Sequence, residues 1–138
     1  MINTWVPISH EQQEDLNLTT NVKSINAIRD FVGRGVLVWG ARTLDGNSLD
    51  YRYINVRRTL IMLEESIQLA TKEMVFEPNT ADTWVTIKSM IGNFLINIWK
   101  RGGLVGSTPE DAFSVSVGLG ETITPQDILD GILRVTVL

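Results

Sequence analysis

Chemistry needs donors, nucleophiles or carboxylates brought together, so the residues able to supply it come first. His10 is the single histidine, set among Glu11, Gln12, Gln13, Glu14 and Asp15. A general base or metal ligand needs a fixed partner, and this polar stretch offers none by spacing, so His10 reads as an exposed bystander. Carboxylates come in pairs: Glu64 with Glu65, Glu110 with Asp111, and Asp127 with Asp130. Neighbours on a helix diverge by about 100°, so Glu64 and Glu65 cannot both face one pocket. They read as a solvated or interface face. The other two pairs each follow Thr-Pro and suit the positive end of a short helix. Arg57-Arg58 could hold an anion or partner carboxylates in a protein interface. Gly33-Arg34-Gly35 and Gly40 have the composition of a phosphate loop, but such glycines should follow a strand and open a helix. Here they precede and punctuate an apolar run, as turn or bulge glycines do. No residue set supports an enzyme. A small α+β enzyme using clustered carboxylates stays as an alternative, and it would need two or more of them to converge in a cleft.

Composition narrows the classes further. The 138 residues suffice for one domain with its own core, at 43% hydrophobic and 20% charged. A net charge of −4 argues against a nucleic-acid binder, which needs a basic surface. The absence of cysteine removes disulfides, thiolate zinc sites and cysteine nucleophiles, and fits folding in a reducing cytoplasm. No apolar run reaches the roughly 18–20 residues of a membrane helix, and no signal-peptide pattern opens the chain.

The elements that would position any site follow from periodicity. Val56, Leu60, Leu63, Ile67 and Ala70 recur at steps of four and three, which predicts one buried helical stripe from about Asn55 to Ala70. A strand is expected from Val36 to about Arg42 and another from Tyr51 to Ile54, paired as a hairpin. Met74 to Glu77 reads as a short buried strand. Asn79 or Thr80 should cap a second long helix whose face carries Trp84, Ile87, Ile91, Phe94, Leu95 and Ile98, with Gly102-Gly103 ending it. Thr108-Pro109-Glu110-Asp111 and Thr124-Pro125-Gln126-Asp127 predict one-turn helices, the second closed by Gly131. Phe113, Val115 and Val117 alternate with serines, and Leu133, Val135 and Val137 alternate with Arg134 and Thr136, so each set marks a half-buried strand. Ser9 could cap a short helix through Leu16. The expected class is α+β: a mixed β-sheet covered by two long helices, with one-turn helices in the C-terminal third.

Several stretches together resemble the C-terminal domain of contractile tail sheath proteins, the family of phage sheaths, tailocins and extracellular contractile injection systems. They are Ile25–Leu44 with its WGARTL, Tyr51–Ile67 with its NVRR helix start, Val75–Asn79 (VFEPN), Thr83–Gly106, Thr108–Phe113 (TPEDAF) and Thr124–Leu138. The resemblance covers nearly everything after Ile25, and the combination is more specific than any one motif. It sets 1–24 apart as a lead-in or trimmed inter-domain segment, and 25–138 as the sheath domain, cut short at its C-terminal strand.

The resemblance implies a structural subunit without cofactor that polymerises around an inner tube and drives it through a target envelope on contraction. Neighbouring copies would exchange strands. An inter-subunit edge formed by Phe113, Val115, Val117, Leu133, Val135 and Val137 would receive an arm through main-chain hydrogen bonds. Left unpaired, that edge should make the isolated domain self-associate weakly. The second long helix is the expected contact with the inner tube protein, through Lys88, Lys100 and Arg101. Baseplate and tail terminator proteins are further implied partners, with no nucleic acid and no membrane insertion. The implied place is a virion tail or released particle assembled in the bacterial cytoplasm. A stand-alone interaction module is the other alternative reading.

Overall fold

The computed structural model describes residue 4 and residues 6–17, 23–46 and 48–138. It divides into two units, residues 1–63 and 64–138, with one long helix running through the division.

In the first unit, Ser9 and Gln12 close a capping box on α1 (His10–Asn17): the Gln12 N–H donates to the Ser9 hydroxyl at 3.2 Å, and the Ser9 N–H to Gln12 Oε1 at 3.0 Å. β1 (Ala27–Phe31) and β2 (Gly35–Trp39) form an antiparallel ribbon with Ala27 opposite Trp39 and Phe31 opposite Gly35. The turn between them closes through Arg34 N–H to Phe31 O at 2.9 Å. Gly33 in it has φ 78°, a region that glycine enters without a Cβ penalty. These glycines are therefore hairpin-turn residues. Ala27 is buried, and the Phe31 and Trp39 rings meet tilted by 50°, 4.6 Å between centroids. Past β2, the predicted partner segment does run antiparallel, but as a single bridge, Arg42 with Tyr53, flanked by Thr43 N–H to Arg52 O and Ile54 N–H to Ala41 O. The true ladder partner of β2 is β1. The tight turn with Gly33 and Gly35 lets the segments nearest in sequence pair over five residues.

α2 (Ile54–Lys72) is slightly longer than its stripe predicts. Leu63 is buried, Leu60, Ile67 and Ala70 are half-buried, and Val56 is exposed. The apolar run after it is not a strand. Met74 N–H bonds Thr71 O, Glu77 N–H bonds Met74 O, and Val75 and Phe76 are exposed at 69% and 97%. The chain is still unwinding from the helix there, and Pro78 lacks the donor a ladder would need.

In the second unit, α3 (Ala81–Lys100) carries the core along Ile87, Ile91 and Leu95, each no more than 2% exposed, with Val117 and Ile123 buried as well. Thr80 is its N-cap. It ends in a Schellman motif, with Gly102 N–H on Trp99 O and Gly103 N–H on Ile98 O, and Gly102 at φ 78°. α4 (Pro109–Ala112) follows its Thr-Pro signal; the Asp111 carboxylate accepts from the Thr108 N–H and hydroxyl. α5 (Pro125–Leu129) repeats that arrangement and closes with Gly131 N–H on Ile128 O and Ile132 N–H on Asp127 O. β3 (Val115–Ser116) and β4 (Thr136–Val137) pair antiparallel, Val115 opposite Val137 and Ser116 opposite Thr136.

The class is α+β as expected. Among the described residues, however, the strands form two separate two-stranded antiparallel sheets instead of one mixed sheet. Of the segments read as further strands, Tyr51–Ile54 supplies a single bridge and Met74–Glu77 forms turns. Among the described residues no helix is long and apolar enough to cross a membrane.

Candidate functional site

The site is the outer edge of the β3–β4 ribbon, and its geometry follows from the register. Ser114 and Leu138 exchange both main-chain hydrogen bonds, at 2.8 and 3.0 Å. In an antiparallel ladder bonded and non-bonded pairs alternate. Ser116 and Thr136 are therefore the next bonded pair, and Val115 with Val137 a non-bonded one. The peptide groups of Val135 and Val137 consequently point away from β3. On the other strand of the ribbon, β3 packs against α3. Among the described residues no strand pairs with the outer edge of β4.

Side chains, more than the two-residue ladder, hold β4 in place. Where the ladder ends, the Thr122 hydroxyl accepts from Gly118 N–H at 3.3 Å and donates to Arg134 O at 2.7 Å, extending the pairing by one step. Arg134 donates from Nε and Nη2 to Asp127 Oδ1 at 3.3 and 3.2 Å. Asp127, 8% exposed, also accepts from Thr124 N–H at 2.9 Å and from its hydroxyl at 2.7 Å. These bonds from Thr124, and then Arg134, lower its carboxyl to about 2 from an ordinary 3.8. At the start of the segment, Asn79 Nδ2 donates to Ile132 O at 3.1 Å, while its Oδ1 accepts from Trp84 Nε1 at 2.6 Å.

Beside this strand lies an open cleft of about 630 Å³. Leu133, Val135 and Val137 form one wall; Ile67, Thr71, Met74 and Val75 line the other side, with Ile87 also reaching it. Glu64, Gln68, Thr71, Glu77 and Asn79 supply its polar groups. The Thr71 hydroxyl is bound to the Ile67 and Gln68 carbonyls, and no histidine, lysine or serine borders the cleft. Two carboxylates thus share it, and Thr71 is the hydroxyl among its lining residues. Among the described residues no group of three or more His, Cys, Asp or Glu could hold a metal ion.

The structure brings Leu133, Val135 and Val137 together on one face and sets Val115 opposite Val137. Val117 is buried in the core, and Phe113 caps the end of α4, half-buried. Lys88, Lys100 and Arg101 are all exposed. Lys88 and Lys100 stand about 120° apart around α3, and Arg101 caps its end, so the three do not form one stripe. His10 lies 3.4 Å from Glu14, both largely exposed. The Arg57 guanidinium lies 5.2 Å from the Tyr51 ring centroid. Sequence reasoning missed the clamps. Asn79 and Asp127 read only as helix-start residues, and nothing in their spacing announces Ile132 or Arg134 as partners.

Comparison with known proteins gives a consistent set. The model of the phage tail sheath C-terminal domain family matches residues 47–127. The tail sheath protein of Vibrio phage KVP40 is 31% identical over 106 residues, 77% of this chain and 15% of its own length. Among solved structures, the PVC sheath complex of an extracellular contractile injection system in its contracted state matches with TM-score 0.89 and 38% identity, over 98% of this chain and 37% of that one. The contracted helical sheath of the anti-feeding prophage matches with TM-score 0.87 and 40% identity, over 99% of this chain and 37% of that one. A chain of the anti-feeding prophage baseplate matches with TM-score 0.88 and 41% identity, over 96% and 36%. This chain therefore spans little more than a third of the solved relatives it matches, and less of the phage protein.

Proposed function

The chain belongs to the phage tail sheath C-terminal domain family, and from that premise we propose that it is a mechanical, non-catalytic part of a contractile sheath subunit. Copies polymerise around an inner tube, and contraction drives the tube through a target envelope. The work of this domain is to tie copies together: an extended arm of a neighbour adds to the outer edge of β4. The observation that carries this reading is the outward turn of the Val135 and Val137 peptide groups beside an open apolar cleft. An unpaired edge next to uncovered apolar side chains favours an added strand, which satisfies the main chain and buries the side chains at once.

The partners under this reading are other copies, the baseplate, and the inner tube protein through the exposed cations Lys88 and Lys100 of α3 and Arg101 at its C-cap. The setting is a phage tail or an extracellular contractile particle, put together in the bacterial cytoplasm. The acidic balance, −4 overall, speaks against nucleic acid as a partner.

The test is Val135→Pro in the full-length sheath protein. Proline is tolerated where the strand N–H faces outward, so the domain should stay folded by circular dichroism. Helical assembly, viewed by electron microscopy, should be lost. Normal sheaths from a folded Val135→Pro protein would overturn the reading.

A further inference from the structure

Resting on the reading of β4 as a receiving edge, we infer that the cleft selects an incoming strand of defined chemistry. The strand has apolar residues at alternate positions and a lysine or arginine at the end lying over Leu133. Parity sets the first requirement. A strand pairing with Val135 and Val137 places the residues opposite them on the same face of the ribbon, because directly opposed side chains share a face. That face is the wall of the cleft, lined by Leu133, Val135 and Val137. From Leu133 to Val137 the edge runs about 13 Å at roughly 3.3 Å per residue, room for about three alternate side chains. Ile67 and Met74 meet them from the other side. The intervening side chains fall on the face of Arg134 and Thr136, which is exposed. A segment without alternation would put polar groups into the trough and leave them without partners.

Charge sets the second requirement and makes it directional. Glu77 borders the cleft and is exposed. It lies two residues from Asn79, whose amide holds Ile132 O. Its backbone is therefore within about 7 Å of chain from that anchor, nearest the Leu133 end of the edge. A cation on the incoming strand meets it there, and a carboxylate is repelled.

The probes are three short synthetic peptides: valine alternating with threonine and lysine at the ends, the same with glutamate at the ends, and the lysine peptide with its inner order scrambled. Amide exchange of Val135 and Val137 in this chain reports edge pairing. The lysine peptide should protect both amides and bind about 2- to 5-fold more tightly than the glutamate peptide. Glu77→Lys should reverse that order, and the scrambled peptide should protect neither amide. Equal affinities, an order unchanged by Glu77→Lys, or equal protection by the scrambled peptide overturns the inference, while protection itself leaves the receiving edge standing. No protection by any peptide overturns the inference and the receiving edge together.

Discussion

The two β-ribbons are built in opposite ways. β1 and β2 pair over five residues and are joined by a turn of three, so turn geometry fixes their register. β3 and β4 pair over two residues and come from segments about twenty positions apart. No turn can set that register. Asn79, Thr122 and the Asp127–Arg134 pair set it from outside the ladder. All of these anchors act on Ile132 and Arg134, leaving the peptide groups of Val135 and Val137 uncommitted. A ribbon closed by its own turn carries its register in local sequence, whereas the other depends on side chains from outside its strands.

Breaking the second ribbon from within should have the largest effect. Thr136→Pro removes the donor that pairs with Ser116, and should abolish protection of the Ser114 and Leu138 amides while those of β1 and β2 keep theirs. Exchange measured residue by residue checks it, and loss of protection in both ribbons would erase the contrast. Asn79→Ala leaves Trp84 Nε1 and Ile132 O without their partner, at a cost of about 1–3 kcal/mol in denaturant unfolding. A cost near zero would mean that this clamp does not hold β4. Gly33→Ala forces a Cβ into a positive-φ turn, and should destabilise β1–β2 by about 1 kcal/mol while full-length sheath assembly continues. Lost assembly would show that the first ribbon also carries the joint.

Acid should separate the ribbons more gently. The Asp127 carboxyl is depressed in the folded state, to about 2 from 3.8, so its contribution is complete above the unfolded value and is lost as pH falls from about 4 toward 2. Leu138 amide exchange should rise over that window in the parent chain, and change less in Asp127→Asn, which has no carboxyl to titrate.

Much of the fold was legible because it is local. The α3 stripe of Ile87, Ile91 and Leu95, the Thr-Pro caps of α4 and α5, and the glycine stops at Gly102 and Gly131 are properties of short stretches, and each stands where its pattern predicts. Strand pairing is not local, and there the sequence misled. Val75-Phe76 has strand-forming side chains but no ladder partner, and β1 was not expected as a strand, since Arg29 sits between Ala27 and Phe31 on its inner face. The same Thr-Pro-x-Asp pattern occurs twice. Asp111 only caps its helix, while Asp127 also holds Arg134, a difference that depends on which segment folds back beside it. The alternation at Leu133, Val135 and Val137 marked the candidate edge. Which peptide groups of β4 face outward required the Ser114–Leu138 bonds.

The most direct measurement is amide hydrogen exchange on the full-length sheath protein, free and assembled. The Val135 and Val137 amides should exchange rapidly in the free protein and become protected on assembly, with Ser114 and Leu138 protected in both. Continued rapid exchange at Val135 and Val137 within the assembled sheath would contradict the account.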